Sequence, residues 1–412
     1  MTSLQFPYPG PVWALGAALL SFASPAVAKY SEDDLAELQA QVQQLRQQVR
    51  VLEGYQPAPV EVPPTVDPLT AGWDRGFYLA SADDNYRLHI GGWLQPRYEY
   101  QDRSDRDPAA TSSFFLRRLR LDIRGHVFTP DLTFRIMTEH ARTSNLRDGW
   151  INYAFGPALQ VRFGQFTVPF QWHRFVGPRR QHFAERGVPS ETFGWFQGRD
   201  VGVMTHGRLF DDNVVYGIGL FDGAGRNVAT SNSDGHMATG RVTWALLGSV
   251  PREESDYAWS TEPQLSIGAG VQGAWENEVR AWDLGRSPVG NERADWITAT
   301  LDARFAWRGF SLVGDVYHRH VAPDDPAVAA YDGWAYMISA GYFVLPERQE
   351  VVGRYSQLRL DRNDADTRER EWGVGWNLYH RGHDWKTRLN LLRHDFADAH
   401  DHRFLVEHHL QF

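Results

Sequence analysis

The sequence of 412 residues contains no cysteine, which excludes a disulfide framework and any thiol chemistry. Lysine is almost missing as well: Lys29 and Lys386 are the only two, so nearly all of the 42 basic residues are arginine. A GC-rich genome accounts for most such bias, although the forked and permanently charged guanidinium also suits an oxyanion site. Beyond the N-terminus no apolar run approaches the ~18 residues of a membrane helix. The formal net charge of −9 argues against a nucleic-acid partner.

Aromatics are plentiful, at 13% with 16 tryptophans, and there are 37 glycines against a mean hydropathy of −0.47. That balance suits a barrel with a polar interior, an apolar exterior and aromatic rims, whose average hydropathy cancels. The chain begins with a short apolar core, VWALGAALLSFA, and the small-residue pattern Ala26-Val27-Ala28, which predicts a secretory signal over residues 1–28. Within 29–54, Leu35, Leu38, Val42, Leu45, Val49 and Leu52 alternate in spacings of three and four. This is an a/d seam, and it predicts a periplasmic helix that associates between chains as a coiled coil. Ser31 and Asp34 fit a capping box at its start. Five prolines between Pro57 and Pro68 make residues 55–75 a stiff spacer.

From residue 76 to the C-terminus the pattern is period-2, in sixteen segments. In FFLRRLRLDIRG, Phe115, Leu119, Leu121 and Ile123 share one parity; Arg118, Arg120, Asp122 and Arg124 share the other. Connections after odd-numbered segments are longer and charged, those after even-numbered segments tight, such as FTPDL, LPER and HRGHD. Long–short alternation is the habit of a transmembrane up-and-down barrel. Two features sit awkwardly: the turn near 249–263 is long for its side, and Pro96 interrupts the first strand. The terminal residue Phe412 is aromatic, as bacterial outer-membrane barrels commonly end. The expected fold is therefore an all-β, 16-stranded antiparallel transmembrane barrel over 76–412 with an N-terminal helical coiled coil.

Between two strand-like ends, residues at about 168–199 form an aperiodic loop rich in arginine and aromatics, which predicts that it packs inside something. Folded inward, it would place Arg174, Arg179 and Arg180 beside Arg162. Parity sends Arg118, Arg120 and Arg124 to the lumen, since lipid-facing arginines cost about 2–4 kcal/mol each at mid-bilayer. Arg97 has lumen parity; Arg117 has lipid parity and belongs near the rim or where the strand bends. The plain alternative for any one of them is a wall-stiffening pair with an acid such as Asp122, Glu139 or Asp148. Arg186 and Arg199 read as structural, each beside an acid, Glu185 and Asp200. The histidines at 394, 400, 402, 408 and 409 match no zinc spacing, and the acidic run Asp361–Asp366 lacks a calcium-loop order. No nucleophile–base constellation and no cofactor motif is present, so neither an enzyme nor a cofactor is expected.

The stretches FFLRRLRLDIRG, GQFTVPF, FAERGVPSETFGWFQGRDVGV, YGIGLFDGAG, GYFVLPERQEVVGRYS and WGVGWNLYHRGHDWK, taken in order, resemble the phosphate-selective porin O/P family of Gram-negative bacteria. The resemblance implies a homotrimer of such barrels in the outer membrane, in contact with lipid and lipopolysaccharide, with the third loop folded into each lumen. It implies conduction of small anionic solutes past a constriction that resembles Arg117–Arg118 and, less closely, Arg97 here. Founding members draw phosphate along lysine ladders, which this chain lacks, so an anion-preferring porin ranks above a phosphate porin. Two alternatives stay open: a general or carbohydrate-selective porin using the aromatics Trp172, Phe175, Phe193, Trp195 and Phe196 as a stacking slide, and a secreted β-rich binding protein.

Overall fold

The computed structural model describes residues 32–53, 69–105, 109–195, 198–228, 235–278, 293–364, 367–396 and 399–412. The expected signal segment, the cap Ser31, most of the Pro-rich spacer, Phe196 and Asp366 lie outside these residues. The chain divides into two compact units, Met1–Val66 and Asp67–Phe412. Of the first, helix α1 (Glu32–Glu53) is described, with Leu38, Val42, Leu45 and Val49 exposed along it. It is a single helix in this chain; a coiled coil would need a second one.

The second unit starts with a hairpin, β1 (Thr70–Trp73) and β2 (Phe77–Ala80). The barrel strands follow: β3 (Arg87–Arg103), β4 (Ala110–Val127), β5 (Thr129–Glu139), β6 (Asn145–Gly156) and β7 (Leu159–Thr167). Next come β8 (Arg199–Leu209), β9 (Val214–Phe221), β10 (Met237–Leu247), β11 (Gln264–Glu278) and β12 (Arg293–Trp307). The last are β13 (Phe310–Pro323), β14 (Tyr331–Leu345), β15 (Gln349–Arg359), β16 (Arg368–Arg381), β17 (Trp385–Phe396) and β18 (Ala399–Gln411). Each pairs antiparallel with the next, and β18 returns to β3, closing sixteen strands into a barrel without an open edge.

The hairpin departs from the sequence expectation: residues 70–75 read as spacer, yet β1 and β2 extend the sheet. The reason is a mismatch in strand length. β18 stops at Gln411, opposite Trp93, while β3 continues down to Arg87. β2 covers the vacant edge, pairing Phe77 with Ile90 and Ala80 with Arg87. At the junction Phe412 and Gly92 exchange backbone hydrogen bonds of 2.7 and 2.9 Å.

Two bulges decide which side chains face the lumen. Gln95 pairs with Arg118 but Pro96 with Leu116, so Arg117 is the extra residue, placed beside the proline that cannot donate to the ladder. Arg117 and Arg118 therefore both turn inward, and Phe115 changes sides: it joins Arg97 in the lumen instead of Leu119 on the lipid face. In the same way Met137 pairs with Asp148 and Thr138 with Leu146, leaving Arg147 as a bulge residue next to the inward Asp148.

The buried apolar core lies inside the barrel. The segment 168–198 packs Val168, Phe170, Phe193 and Trp195 against Met204, Phe221, Trp296, Tyr317 and Ala335 of the wall. Farther along, Phe183 and Ala184 meet Val352, Leu392 and Leu405. The segment thus crosses from the β7–β8 side to the β15–β18 wall. Glycine makes room for it, since a Cβ on Gly373 would stand 2.9 Å from the Phe183 ring.

Across the closing seam, Glu407 of β18 accepts from Arg97 of β3 at 2.5 Å and from Arg388 of β17, all three with buried side chains. Glu407→Ala would leave Arg388 in the wall without a carboxylate partner and Arg97 dependent on Glu185, at a cost of about 3–5 kcal/mol. The expected outcome is a clearly lower urea midpoint for unfolding of the barrel in detergent, followed by heat-modifiable gel mobility.

Candidate functional site

Between short helical turns at Trp172–Phe175, Pro178–Arg180 and Val188–Phe193, the loop carries carbonyl groups that these turns do not satisfy, and the wall supplies the donors. Arg388 donates to the carbonyls of Pro178 at 2.8 Å and Phe183 at 2.9 Å, and Lys386 to that of Gln181 at 3.3 Å. Arg319 donates to Phe193, Arg354 to Glu185 and Arg241 to Phe170. Many wall cations are thus structural, including the barrel's one lysine. None of these four wall arginines stands out in the sequence pattern.

Glu185, near the middle of the loop, fixes it to the opposite wall. Its carboxylate lies 2.7 Å from Arg97, 2.5 Å from Arg117 and 3.3 Å from Arg118. Burial alone would raise its pKa, but the three guanidiniums, Arg118 foremost, hold it well below the usual carboxylate range. The Arg97, Arg117 and Arg118 assigned to an anion site are therefore occupied by an anion of the protein itself. Arg118 also donates to Gln95 at 2.9 Å.

The long turn at 248–263, anomalous in the sequence, folds into the lumen and meets the loop. Glu254, Ser255 and Asp256 are buried there. The Glu254 backbone N–H donates to the Arg180 carbonyl at 2.9 Å, and its carboxylate accepts from the His182 N–H at 2.7 Å. His173 bridges Glu254 at 2.9 Å and Asp315 of β13 at 2.5 Å. His182 lies between the hydroxyls of Ser311 and Ser339, each at 2.9 Å.

Beside the loop a cavity of about 1360 Å³ remains, lined by eighteen arginines and eight acidic side chains. Arg120 pairs with Glu139 at 2.6 Å, Arg124 with Asp122 at 3.1 Å and Arg174 with Glu191 at 2.9 Å. Arg162, Arg179 and Arg180 have no carboxylate within ion-pair distance among the described residues; Arg162 lies 4.1 Å over the Trp150 ring. The same holds of Arg147, Arg226 and Arg252, which also line the cavity and which sequence reasoning missed. Arg147 escaped because its lumen position depends on the bulge. Arg226 and Arg252 lie in connections, where no parity applies. Arg199 and Arg186 are paired, but with partners other than their sequence neighbours. Arg199 binds Asp148 at 3.1 Å, and Arg186 donates to the carbonyls of His173 and Val176 with Glu191 at 4.0 Å.

The matching family model is phosphate-selective porin O and P, over residues 89–410. The chain belongs to this family. It is an outer-membrane porin, a channel and not an enzyme. No curated protein matches the sequence. Among solved structures, the anion-selective porin from Comamonas acidovorans is 16% identical and covers 79% of this chain and 99% of its own, with a TM-score of 0.56. In-vitro folded OmpT of Vibrio cholerae, described as a trimer form, is 11% identical over 79% of this chain and 99% of its own, with a TM-score of 0.55. Salmonella typhi OmpF in complex with daunomycin is 11% identical over 83% and 100%, with a TM-score of 0.53. At such identities these likenesses speak to the fold. Family membership removes the secreted binding protein from consideration.

In the porin, Trp172, Phe193 and Trp195 are buried against the wall, with Trp195 stacked on Trp296 at 6.0 Å; Phe175 is exposed. Of the late histidines, His394 pairs with Glu369 at 2.8 Å and His409 with Gln95 at 3.0 Å. Among the described residues no group of three or more His, Asp or Glu side chains is arranged to hold a metal.

The His173 bridge makes loop anchoring pH-dependent. Burial lowers the His173 pKa, but Asp315 and Glu254 outweigh it and raise it to about 9 from 6.5. A raised folded-state value means the contribution is complete below pH 6.5 and is lost as pH rises through 9. The loop of the wild type is expected to loosen over that window, read as a change in tryptophan fluorescence (Trp172 adjoins His173) and in protease susceptibility. His173→Gln should show no step there.

Proposed function

We propose that this porin is a passive diffusion channel that prefers small oxyanions to cations, with an arginine-lined constriction between the inward loop and the β4–β8 wall. The observation that carries the reading is a group of lumenal arginines without carboxylate partners among the described residues, Arg147, Arg162, Arg179, Arg180, Arg226 and Arg252, to which Arg142 and Arg304 of the same cavity add. They fall at successive levels. Arg226 and Arg147 lie at the extracellular end, Arg162 within β7, and Arg252 on the periplasmic turn, with Arg179 and Arg180 on the loop opposite. Guanidinium groups replace part of the hydration of a passing oxyanion, and the field of the cluster repels cations. Spreading the charges keeps each site weak enough to be vacated, whereas several forks closing on one phosphate would bind it tightly. Phosphate and related oxyanions are thus permeants without a dedicated phosphate trap.

The carbohydrate-selective alternative fares worse, because Trp172, Phe193 and Trp195 are packed against the wall and, of the described aromatics of that slide, only Phe175 is exposed. The exposed seam of α1 supports a periplasmic coiled coil. Together with the family resemblance and the trimer form of the OmpT neighbour, it supports a homotrimer. Residues 1–28 serve as the signal that directs export.

In planar bilayers with a KCl gradient, the wild type is expected to give an anion-selective reversal potential. Replacing Arg147, Arg179 and Arg180 together by Gln should lower the anion-to-cation permeability ratio by about tenfold. Phosphate or pyrophosphate should reduce chloride conductance more than maltose does. Cation preference of the wild type would sink the proposal.

A further inference from the structure

On the outward face of β13–β18 a second arginine cluster stands apart from the lumen. Along β15 and β16 the outward parity carries Val351 and Tyr355, and Val374, Trp372 and Trp376, all in the exposed apolar belt or its aromatic rim. Continuing that parity to the extracellular ends gives Arg359 on β15 and Arg368 and Arg370 on β16. Arg393 follows on β17, directly opposite Trp372. Arg359 and Arg368 are cross-strand partners, and Arg370 faces Gln357 one step lower. Like charges set directly opposite each other repel, so this placement favours a bound anion.

Among the described residues no acid pairs with Arg359, Arg368 or Arg370. Arg368 has no carboxylate within ion-pair distance among the described residues. Arg359 donates to the Arg362 carbonyl at 3.1 Å, while its Nε is shielded from solvent without a partner. Arg370 donates to Gln357 at 3.3 Å. Arg393 pairs with Asp395 at 2.9 Å, and the neighbouring Asp332 is shared by His318, His320 and, at 3.6 Å, Arg362.

Beside and below the cluster lies an aromatic band, which begins at Trp334, the cross-strand partner of Arg359. Trp334 stacks on Tyr336 at 5.8 Å, and Tyr355 meets Trp372 at 5.7 Å. Such bands mark the interface between acyl chains and head groups. Four residues separate Tyr355 from Arg359, about 13 Å along a strand, or roughly 9 Å along the normal at a tilt near 45°. The guanidiniums therefore stand at head-group level on the external side, with exposed apolar strand below them for acyl chains.

We propose that this face is a binding site for a phosphorylated glycolipid of the outer leaflet, with Arg359, Arg368 and Arg370 holding its phosphate groups and the Trp372–Tyr355 band seating its sugar and upper acyl carbons. The site rests on the outer-membrane location and is independent of what the pore conducts.

Detergent-solubilised full-length porin should retain bis-phosphorylated lipid A in native mass spectrometry and in a fluorescent lipid A titration. Arg359→Gln, Arg368→Gln and Arg370→Gln combined should weaken binding about a hundredfold. The corresponding triple lysine variant should retain most of it. Heat-modifiable mobility and reversal potential should match the wild type in both, which separates loss of the site from misfolding or from failure of the anion-channel reading. Three results would overturn the site: equal binding of fully dephosphorylated lipid A by the wild type, unchanged affinity in the glutamine variant, or a change of oligomeric state in that variant showing that the face meets another barrel.

Discussion

One carboxylate in the middle of the lumen does more than any other group to give this barrel its interior. Glu185 sits on a loop that has no internal ladder to hold it, and it is bound by guanidiniums of β3 and β4 on the far wall. An irregular segment can stay inside a barrel only if its charges and carbonyls find partners there. Arg97 links that anchor to Glu407, and Glu407 links it to Arg388, which returns to the loop through the carbonyls of Pro178 and Phe183. Barrel closure and loop position are consequently parts of one ionic network.

The same constraint explains the division of labour among the arginines. Wall arginines that reach the loop are consumed by it, as donors to carbonyls or partners of Glu185. On the other side of the cavity Asp148 and Glu139 neutralise Arg199 and Arg120 but leave Arg147 and Arg162 without acids among the described residues, and the proposed anion preference rests on that side. The inward turn at 248–263 belongs to this arrangement. It supplies Glu254 to the loop from below and presents Arg252 to the cavity. A loop held at both ends and from beneath acts as a fixed wall of the channel, as the proposed discrimination by charge placement requires.

Outside the barrel the same residue type does different work. Arginines at the external ends of β15 and β16 share a parity with lipid-facing valines and tryptophans, and their position above the aromatic band sets what they can meet. Composition alone could not separate these from lumenal arginines, because both come from strands rich in alternating charge.

Much was legible without the fold. Period-2 alternation determined sixteen strands, and loop-length alternation determined their up-and-down order, because both follow from local geometry and from the cost of polar groups in lipid. The aromatic content of 168–198 showed that it must bury surface. Two things were decided only in three dimensions. The first is side-chain direction past a bulge: one extra residue at Arg117 and another at Arg147 reverses the parity on which strand reading depends, and only the register with the neighbouring strand reveals it. The second is charge pairing between segments far apart in the chain. Whether Arg118 serves a solute or the protein depends on Glu185, 67 residues away, and on a loop path that no local pattern encodes.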